Sequence, residues 1–449
     1  VGAVIDARDH QIGCVVEQTG ECNVHTVGRC AIDIAKAVVS LMHVQRGMQG
    51  QRIGLGAVVV LRGHHFQVCN ALQCIEQGDN PICLVTIVIR NQDFHAIFGE
   101  KLIVWRAFIQ EKPPKFSIEL KEPHMQAWLC ENPIGVEALT WKTLPIPNPS
   151  ATEVLIRIHA ASLNFPDLLI VQNKYQMKPP LPFVPGSEFA GTVEAIGSEV
   201  KNLKVGQSVA CLSGTGGFGT HTLAPANLCI PLPDGFDLVD AAAFIMIYAT
   251  SYHALIDRAE LKPHETVLVL GAAGGVGSAA IQIAKAHGSK VIAAASNQDK
   301  CDFCLSLGAD HALNYDDGPF RDKLKELTQG KGPDVIYDPV GGPYTEPAFR
   351  SIAWRGRYLV VGFAAGPIPS LPLNLSLLKG ASLVGVFWGD FAKREPQKNA
   401  DMMQTLLAWY QAKKIKPPIH TTLSMQALPE AYDLMNSRAV KGKLVLVNP

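Results

Sequence analysis

Thr266-Val-Leu-Val-Leu-Gly-Ala-Ala-Gly-Gly-Val-Gly277 is the stretch on which the fold turns. Residues 266–270 form a β-branched and aliphatic run between Pro263 and Gly271, the pattern of a short, fully buried strand. Gly271, Gly274, Gly275 and Gly277 then crowd a tight turn, and 278–287 continue with helical spacing. Strand, glycine-rich turn and helix in that order make a phosphate cradle. The helix N-terminus offers unpaired N–H groups and a partial positive charge, and the missing Cβ atoms let a pyrophosphate approach the backbone. A glycine motif alone is weak evidence, but these flanks set it above an ordinary helix entry.

Working outward, 449 residues allow roughly two to four domains. Forty basic residues balance forty acidic ones, which gives no argument for a nucleic-acid partner. The longest apolar runs, 82–89 and 241–249, fall short of the ~20 residues of a membrane helix. Eleven cysteines without regular spacing suggest no disulfide framework, and no secretory signal opens the chain, so a cytoplasmic protein is expected.

Residues 1–124 differ from the rest. The first hundred carry one lysine, Lys36, yet six of the eleven cysteines and six of the fourteen histidines. Runs at 57–61 and 82–89 look strand-like but lack a consistent turn grammar. His64 and His65 with Cys69 and Cys74 match no standard zinc spacing. Two readings compete for this segment: an accessory domain, or an upstream extension never selected to fold. The second is preferred, because Met125 opens a self-sufficient sequence.

From Met125 the pattern is regular. Strands are expected at 126–130, 153–160, 189–196 and 207–212, with few helices between them, so this part reads as a compact β domain. Pro145, Pro147 and Pro149 make a stiff connector, and the loop 162–167 leads into a short helix ending at Val171. Residues 241–257 return to helical character. After the glycine turn, strands at 291–296, 311–315, 334–340, 357–363 and 382–387 alternate with helices, giving a doubly wound parallel sheet. A helix at 399–413 and segments at 427–435 and 442–447 close the chain and are expected to pack back on the β domain.

The second strand ends Ala293-Ala-Ala-Ser296, with no carboxylate before Asp299. An NAD site places an acid there to accept from the ribose hydroxyls. Ser296 and Lys300 instead suit a 2′-phosphate, so NADPH is expected over NADH. The competing reading is a solvated strand end.

From Met125 to Pro449 the sequence resembles the zinc-independent quinone oxidoreductases, the zeta-crystallin-like group of the medium-chain dehydrogenase/reductase superfamily. The resemblance is carried by Ala160-Ala-Ser-Leu-Asn-Phe-Pro-Asp167, Pro185-Gly-Ser-Glu-Phe-Ala-Gly191, Ala272-Ala-Gly-Gly-Val-Gly277, Leu307-Gly-Ala-Asp310 and Tyr337-Asp-Pro-Val-Gly341. It implies an α/β protein: a GroES-like catalytic β domain, 125–247 completed by 388–449, and a Rossmann NADPH-binding domain, 248–387. Residues 1–124 stand outside it as an atypical extension.

The resemblance also implies roles. Asn164 and Asp167 would lie beside the nicotinamide, Tyr175 would line the substrate cleft, and Thr250 would contact the nicotinamide. Gly362 and Phe363 would hold the nicotinamide by backbone, and Ala272, Gly274, Gly275, Val276 and Gly277 would cradle the pyrophosphate. Lys300 and Tyr315 match the grip on the 2′-phosphate. Asn164 and Ser187 stand where zinc-dependent relatives carry Cys and His, and their amide and hydroxyl oxygens are poor zinc ligands. The four-cysteine lobe for structural zinc is missing too, so no metal is expected. Cys301 and Cys304 read as one-face helical packing rather than a redox pair.

Some readings stay open at this point. Tyr175 is equally a hydrogen-bond donor to a developing oxyanion and an apolar cleft residue. Asp167 is equally a helix N-cap, and Glu188, left from a metal motif, is equally structural. Without a Lewis acid an acceptor is polarised by hydrogen bonds alone, which favours quinones and α,β-unsaturated carbonyls over simple ketones. The expected function is therefore NADPH-dependent quinone reduction. The alternatives are an enoyl or enone reductase and a nucleotide-binding protein without turnover. A homodimer through the edge strand 382–387 is implied as well.

Overall fold

The computed structural model describes residues 124–449 apart from Asp316 and, before them, the backbone of seven strands. The chain divides into two units, Val1–Lys121 and Glu122–Pro449. In the first, Gly2–Asp6 (β1), Gln11–Val15 (β2), Ala57–Arg62 (β3), His65–Asn70 (β4), Gln73–Gln77 (β5), Asn80–Ile89 (β6) and Ile103–Phe108 (β7) share one sheet, in the order β2-β1-β7-β6-β3-β4 with β5 on β6. The runs expected at 57–61 and 82–89 are therefore strands. The reading of 1–124 as an unselected extension, and that of His64, His65, Cys69 and Cys74, lie outside the described residues.

The second unit begins with a hairpin, His124–Cys130 (β8) against Leu139–Pro145 (β9). The second of these strands is hidden in the sequence, because it runs into the prolines of the connector from 145 onward. Glu153–Ser162 (β10), Glu188–Ile196 (β11), Ser208–Leu212 (β12), His221–Pro225 (β13) and Cys229–Pro231 (β14) follow. Ile419–Ser424 (β21) and Lys443–Val447 (β22) join them from the far end of the chain, in the order β14-β12-β11-β10-β22-β21 with β13 on β10. This is the GroES-like β domain. Its core gathers Ile156, Ile158, Phe189, Phe218, Leu446 and Tyr432 among others.

Thr266–Val269 (β15), Lys290–Ala295 (β16), His311–Asn314 (β17), Val335–Asp338 (β18), Arg357–Val360 (β19) and Ser382–Gly385 (β20) are all parallel, in the order β17-β16-β15-β18-β19-β20. Numbered within the domain, this is the 3-2-1-4-5-6 order of a Rossmann sheet, with its switch point between β15 and β18. The opening run explains itself here. Val267 and Val269 enter the core on one face, Leu268 and Leu270 the core on the other. All four are fully buried, each contributing roughly 1.5–3 kcal/mol of transfer free energy. A strand covered on both faces shows no polar alternation.

Candidate functional site at the switch point

The glycine turn lies at the carboxyl end of β15, beside the switch point. Gly271 has φ +59, and Gly274 caps the helix Gly275–Ala286. A Cβ on Gly277 would stand 2.4 Å from Gly271 O and 2.8 Å from Ala272 Cα, so turn and helix touch backbone to backbone there. Gly274 is different: the nearest atom to a Cβ would be Gly271 O at 3.4 Å. Val276 O accepts a hydrogen bond from Ser251 Oγ (2.9 Å), which ties the turn to the helix Ile245–Tyr252 that carries Thr250. The Gly271 N–H donates to Tyr315 Oη (2.7 Å), and the Tyr315 ring stacks on Tyr344 at 4.0 Å. Tyr315 thus supports the start of the turn.

The other cofactor candidates end neighbouring strands. Ser296 follows β16, and its Oγ accepts from Lys300 Nζ (3.3 Å). Lys300 Nζ also donates to Arg438 O (2.5 Å), and Lys441 reaches Asp299 at 3.0 Å. Burial, with Arg438 second, pulls the Lys300 pKa down. Arg438 and Lys441 escaped the sequence reading. They lie about 140 positions from Lys300, and only the return of the C-terminal segment brings them together. Beyond the switch point, Gly362 and Phe363 follow β19. A Cβ on Gly341, after β18, would meet the Phe363 ring at 3.0 Å, so the two loops abut.

On the β domain side, the loop after β10 enters the helix Phe165–Val171 with Asn164 as N-cap and Pro166 in the first turn. Asp167 Oδ2 accepts from the Asn164 N–H (2.8 Å), and Oδ1 accepts from the Ser187 N–H (2.9 Å). Asn164, not Asp167, is therefore the N-cap; Asp167 closes the capping box from the third helical position and also pins the next loop. Burial pushes its carboxyl up to about 6. Tyr175 is half-buried against the β-domain core, its pKa raised by burial and by the Asp167 charge. Ser187 Oγ is buried with no hydrogen-bond partner among the described residues.

Glu188 is the hub of this site. It is 0% exposed, and its Oε2 accepts from Ser162 Oγ and Asn164 Nδ2, each at 2.9 Å. Its Oε1 accepts from the Met246 N–H (2.9 Å), at the start of the Thr250 helix. Opposite stands Lys443, 3% exposed, whose Nζ donates to Asn164 Oδ1 (2.6 Å) and Leu163 O (2.8 Å) and lies 3.5 Å from Glu188 Oε2. Both ends of the Asn164 amide are thus held from within. Lys443 was missed as well, although one signal was available: a lysine heading the otherwise aliphatic run 444–447.

Among the described residues no group of three or more His, Cys, Asp or Glu is arranged to hold a metal. Cys301 and Cys304 pack into the core on the helix Gln298–Ser306, and burial pushes the Cys304 thiol up to about 12.

The alcohol dehydrogenase GroES-like domain model matches residues 150–234, and the zinc-binding dehydrogenase model matches 275–408. The quinone oxidoreductase-like protein 2 homolog of Nematostella vectensis is 35% identical over 324 residues, covering 72% of this chain and 88% of the relative. The chain belongs to the quinone oxidoreductase family. Within that family and the wider medium-chain dehydrogenase/reductase superfamily, solved structures share the architecture described above. The quinone oxidoreductase of Pseudomonas syringae pv. Tomato superposes with a TM-score of 0.68 at 29% identity, over 72% of this chain and all of that one. A mycobacterial protein complexed with NADPH gives 0.67 at 29% identity, with the same coverage. Residues before the β domain lie outside these matches. No helix among the described residues is long and apolar enough to cross a membrane.

Proposed function

We propose that this oxidoreductase is an NADPH-dependent, zinc-free reductase of quinones, acting in the cytoplasm. The observation that carries the reading is the glycine turn at the switch point with Lys300, Arg438 and Lys441 gathered at its ribose end, where the carboxylate of Asp299 is already paired with Lys441. Bound there, NADPH supplies the hydride. The chain's own residues do the rest. The turn and the first N–H groups of the helix Gly275–Ala286 hold the pyrophosphate. Ser296, Lys300 and Arg438 receive the 2′-phosphate, while the Tyr315 hydroxyl, engaged with the Gly271 N–H, steadies the turn next to it. Thr250, Gly362 and Phe363 border the nicotinamide.

The zinc-free reading rests on the donor set. Asn164 contributes an amide whose two ends are engaged, and Ser187 a hydroxyl, so neither offers the soft ligand of a catalytic zinc. Ser187 Oγ, without a hydrogen-bond partner among the described residues, and the Tyr175 hydroxyl are two neutral donors near Asp167 for an acceptor oxygen that gains charge. The β domain of 125–247, completed by 388–449, would thus carry the acceptor, and 248–387 the dinucleotide.

The direct test is steady-state NADPH oxidation with 9,10-phenanthrenequinone, an enone and an enoyl thioester side by side. Preference for the thioester would replace the quinone reading with enoyl reduction, and silence with all three would remove both. For the cofactor, Lys300→Ala and Arg438→Ala each remove a charge-assisted contact worth ~1.5–3 kcal/mol. NADPH binding is expected to weaken roughly tenfold to a hundredfold in each, with NADH binding unchanged. Parallel losses for both nucleotides would overturn the 2′-phosphate assignment.

We also propose a homodimer through β20. That strand ends the sheet, and Leu383 on it is exposed, as are Leu373 (79%), Leu377 (78%) and Trp354 (70%) near by. An uncovered apolar edge is a pairing site. Light scattering is expected to give twice the chain mass for the wild type and the single mass for Leu383→Lys. A monomeric wild type would end the proposal.

A further inference from the structure

A buried lysine links the two halves of the site. Lys443 sends its stem beneath the glycine turn: a Cβ on Gly275 would stand 3.0 Å from Lys443 Cδ. Its neighbour Gly442 donates its N–H to Ala273 O (2.8 Å) and bridges to Gly274. The ammonium at the other end is inside the β domain, bonded to Leu163 O and Asn164 Oδ1 and paired with Glu188. The three N–H donors of an ammonium and these three acceptors match in number. Glu188 in turn holds the start of the Thr250 helix through the Met246 N–H.

Lysines are almost never fully buried unless paired, and desolvation lowers the Lys443 pKa while Glu188 and Asp167 raise it. A salt bridge of this kind is a poor route to stability, since well-packed apolar residues of the same volume are often as good. Its place between the Asn164 loop and the glycine turn calls for another explanation.

We infer that Lys443 is a positioning residue for the proposed reductase, clamping the Asn164–Asp167 loop at a fixed place relative to the glycine turn. It also supplies the positive charge that the buried Glu188 needs where no metal serves. The inference rests on the reductase reading for its effect on turnover, but the clamp itself is a statement about the chain alone.

The test compares wild type with Lys443→Met and with the double variant Lys443→Met/Glu188→Gln. Methionine keeps the unbranched stem beneath Gly275 and removes the ammonium. The double variant removes the Lys443 and Glu188 charges together and leaves Asp167 held by the Asn164 and Ser187 N–H groups, so its melting temperature is expected near that of wild type even if the single variant does not fold. NADPH affinity, read by fluorescence titration, is expected within about threefold of wild type, because the cradle keeps its support. The kcat with 9,10-phenanthrenequinone is expected to fall at least ~10-fold from lost orientation, and amide hydrogen exchange in 163–171 to rise. A purely structural pair would give back kcat together with the melting temperature. Full kcat and wild-type exchange in the double variant would therefore overturn the inference. If wild type turns over no acceptor, the reductase reading fails by itself, and the exchange rates at 163–171 alone decide the clamp.

Discussion

Gly277→Ala is expected to weaken NADPH binding on the order of a hundredfold and to lower the melting temperature with it. The new Cβ would meet Gly271 O at 2.4 Å and the Cα and carbonyl carbon of Ala272 at 2.8 and 2.9 Å. These are backbone atoms, so no side chain can swing away. The turn must lift off the helix, and overpacking of this kind costs ~1–3 kcal/mol or more. A displacement of about 1 Å also pulls the helix N–H groups off the pyrophosphate, a misplacement on the order of a hundredfold. Gly274→Ala is the matched control. Its Cβ has 3.4 Å to the nearest atom and its φ of −78 suits any residue, so the melting temperature should stay while NADPH binding weakens. The two glycines then separate: one is needed for packing, the other for the ligand. Normal binding by Gly277→Ala, or equal thermal losses in both, would contradict this division.

Glu188→Ala carries the largest expected loss of stability. It leaves the buried Lys443 ammonium without the Glu188 counter-charge and takes the acceptor from Ser162 Oγ, Asn164 Nδ2 and the Met246 N–H at once. Removing one member of a buried pair costs ~3–5 kcal/mol, chiefly through the charge left behind. A fall in melting temperature of about 10 °C is expected from that figure. Glu188→Gln, which keeps an acceptor and the shape, should lose less. A melting temperature unchanged in Glu188→Ala would mean that the Lys443 charge is compensated elsewhere.

The nucleotide-binding half was legible because its signals are local. An aliphatic run, a glycine turn and a helix follow one another within a few positions, and the same alternation repeats along the chain. The strand order then follows from topology rules that a parallel sheet obeys. Hidden elements were of two kinds. Short pieces such as β9 and the helices Thr345–Arg350 and Asn374–Lys379 are masked by the prolines and glycines around them. Long-range polar partners are invisible in principle. Glu188 could be read only as a remnant of a metal motif, since its partners sit at 162, 164, 246 and 443. Arg438 and Lys441 meet Lys300 and Asp299 only after the chain has returned. Spacing rules see neighbours in sequence, and these contacts are made by closure of the sheet.

The position of β22 has a consequence for synthesis. It lies between β10 and β21, and Lys443 is its first residue. Chains emerge from the ribosome N-terminus first, and domains fold as they appear. The dinucleotide sheet can close while 443–447 are still inside the exit tunnel, but the Asn164 loop and Glu188 must wait for their cation. During that interval Glu188 is a carboxylate without its counter-charge. Nascent chains that stop before 443 therefore never complete the polar cluster around Glu188 and Asn164, whatever state the parallel sheet has reached.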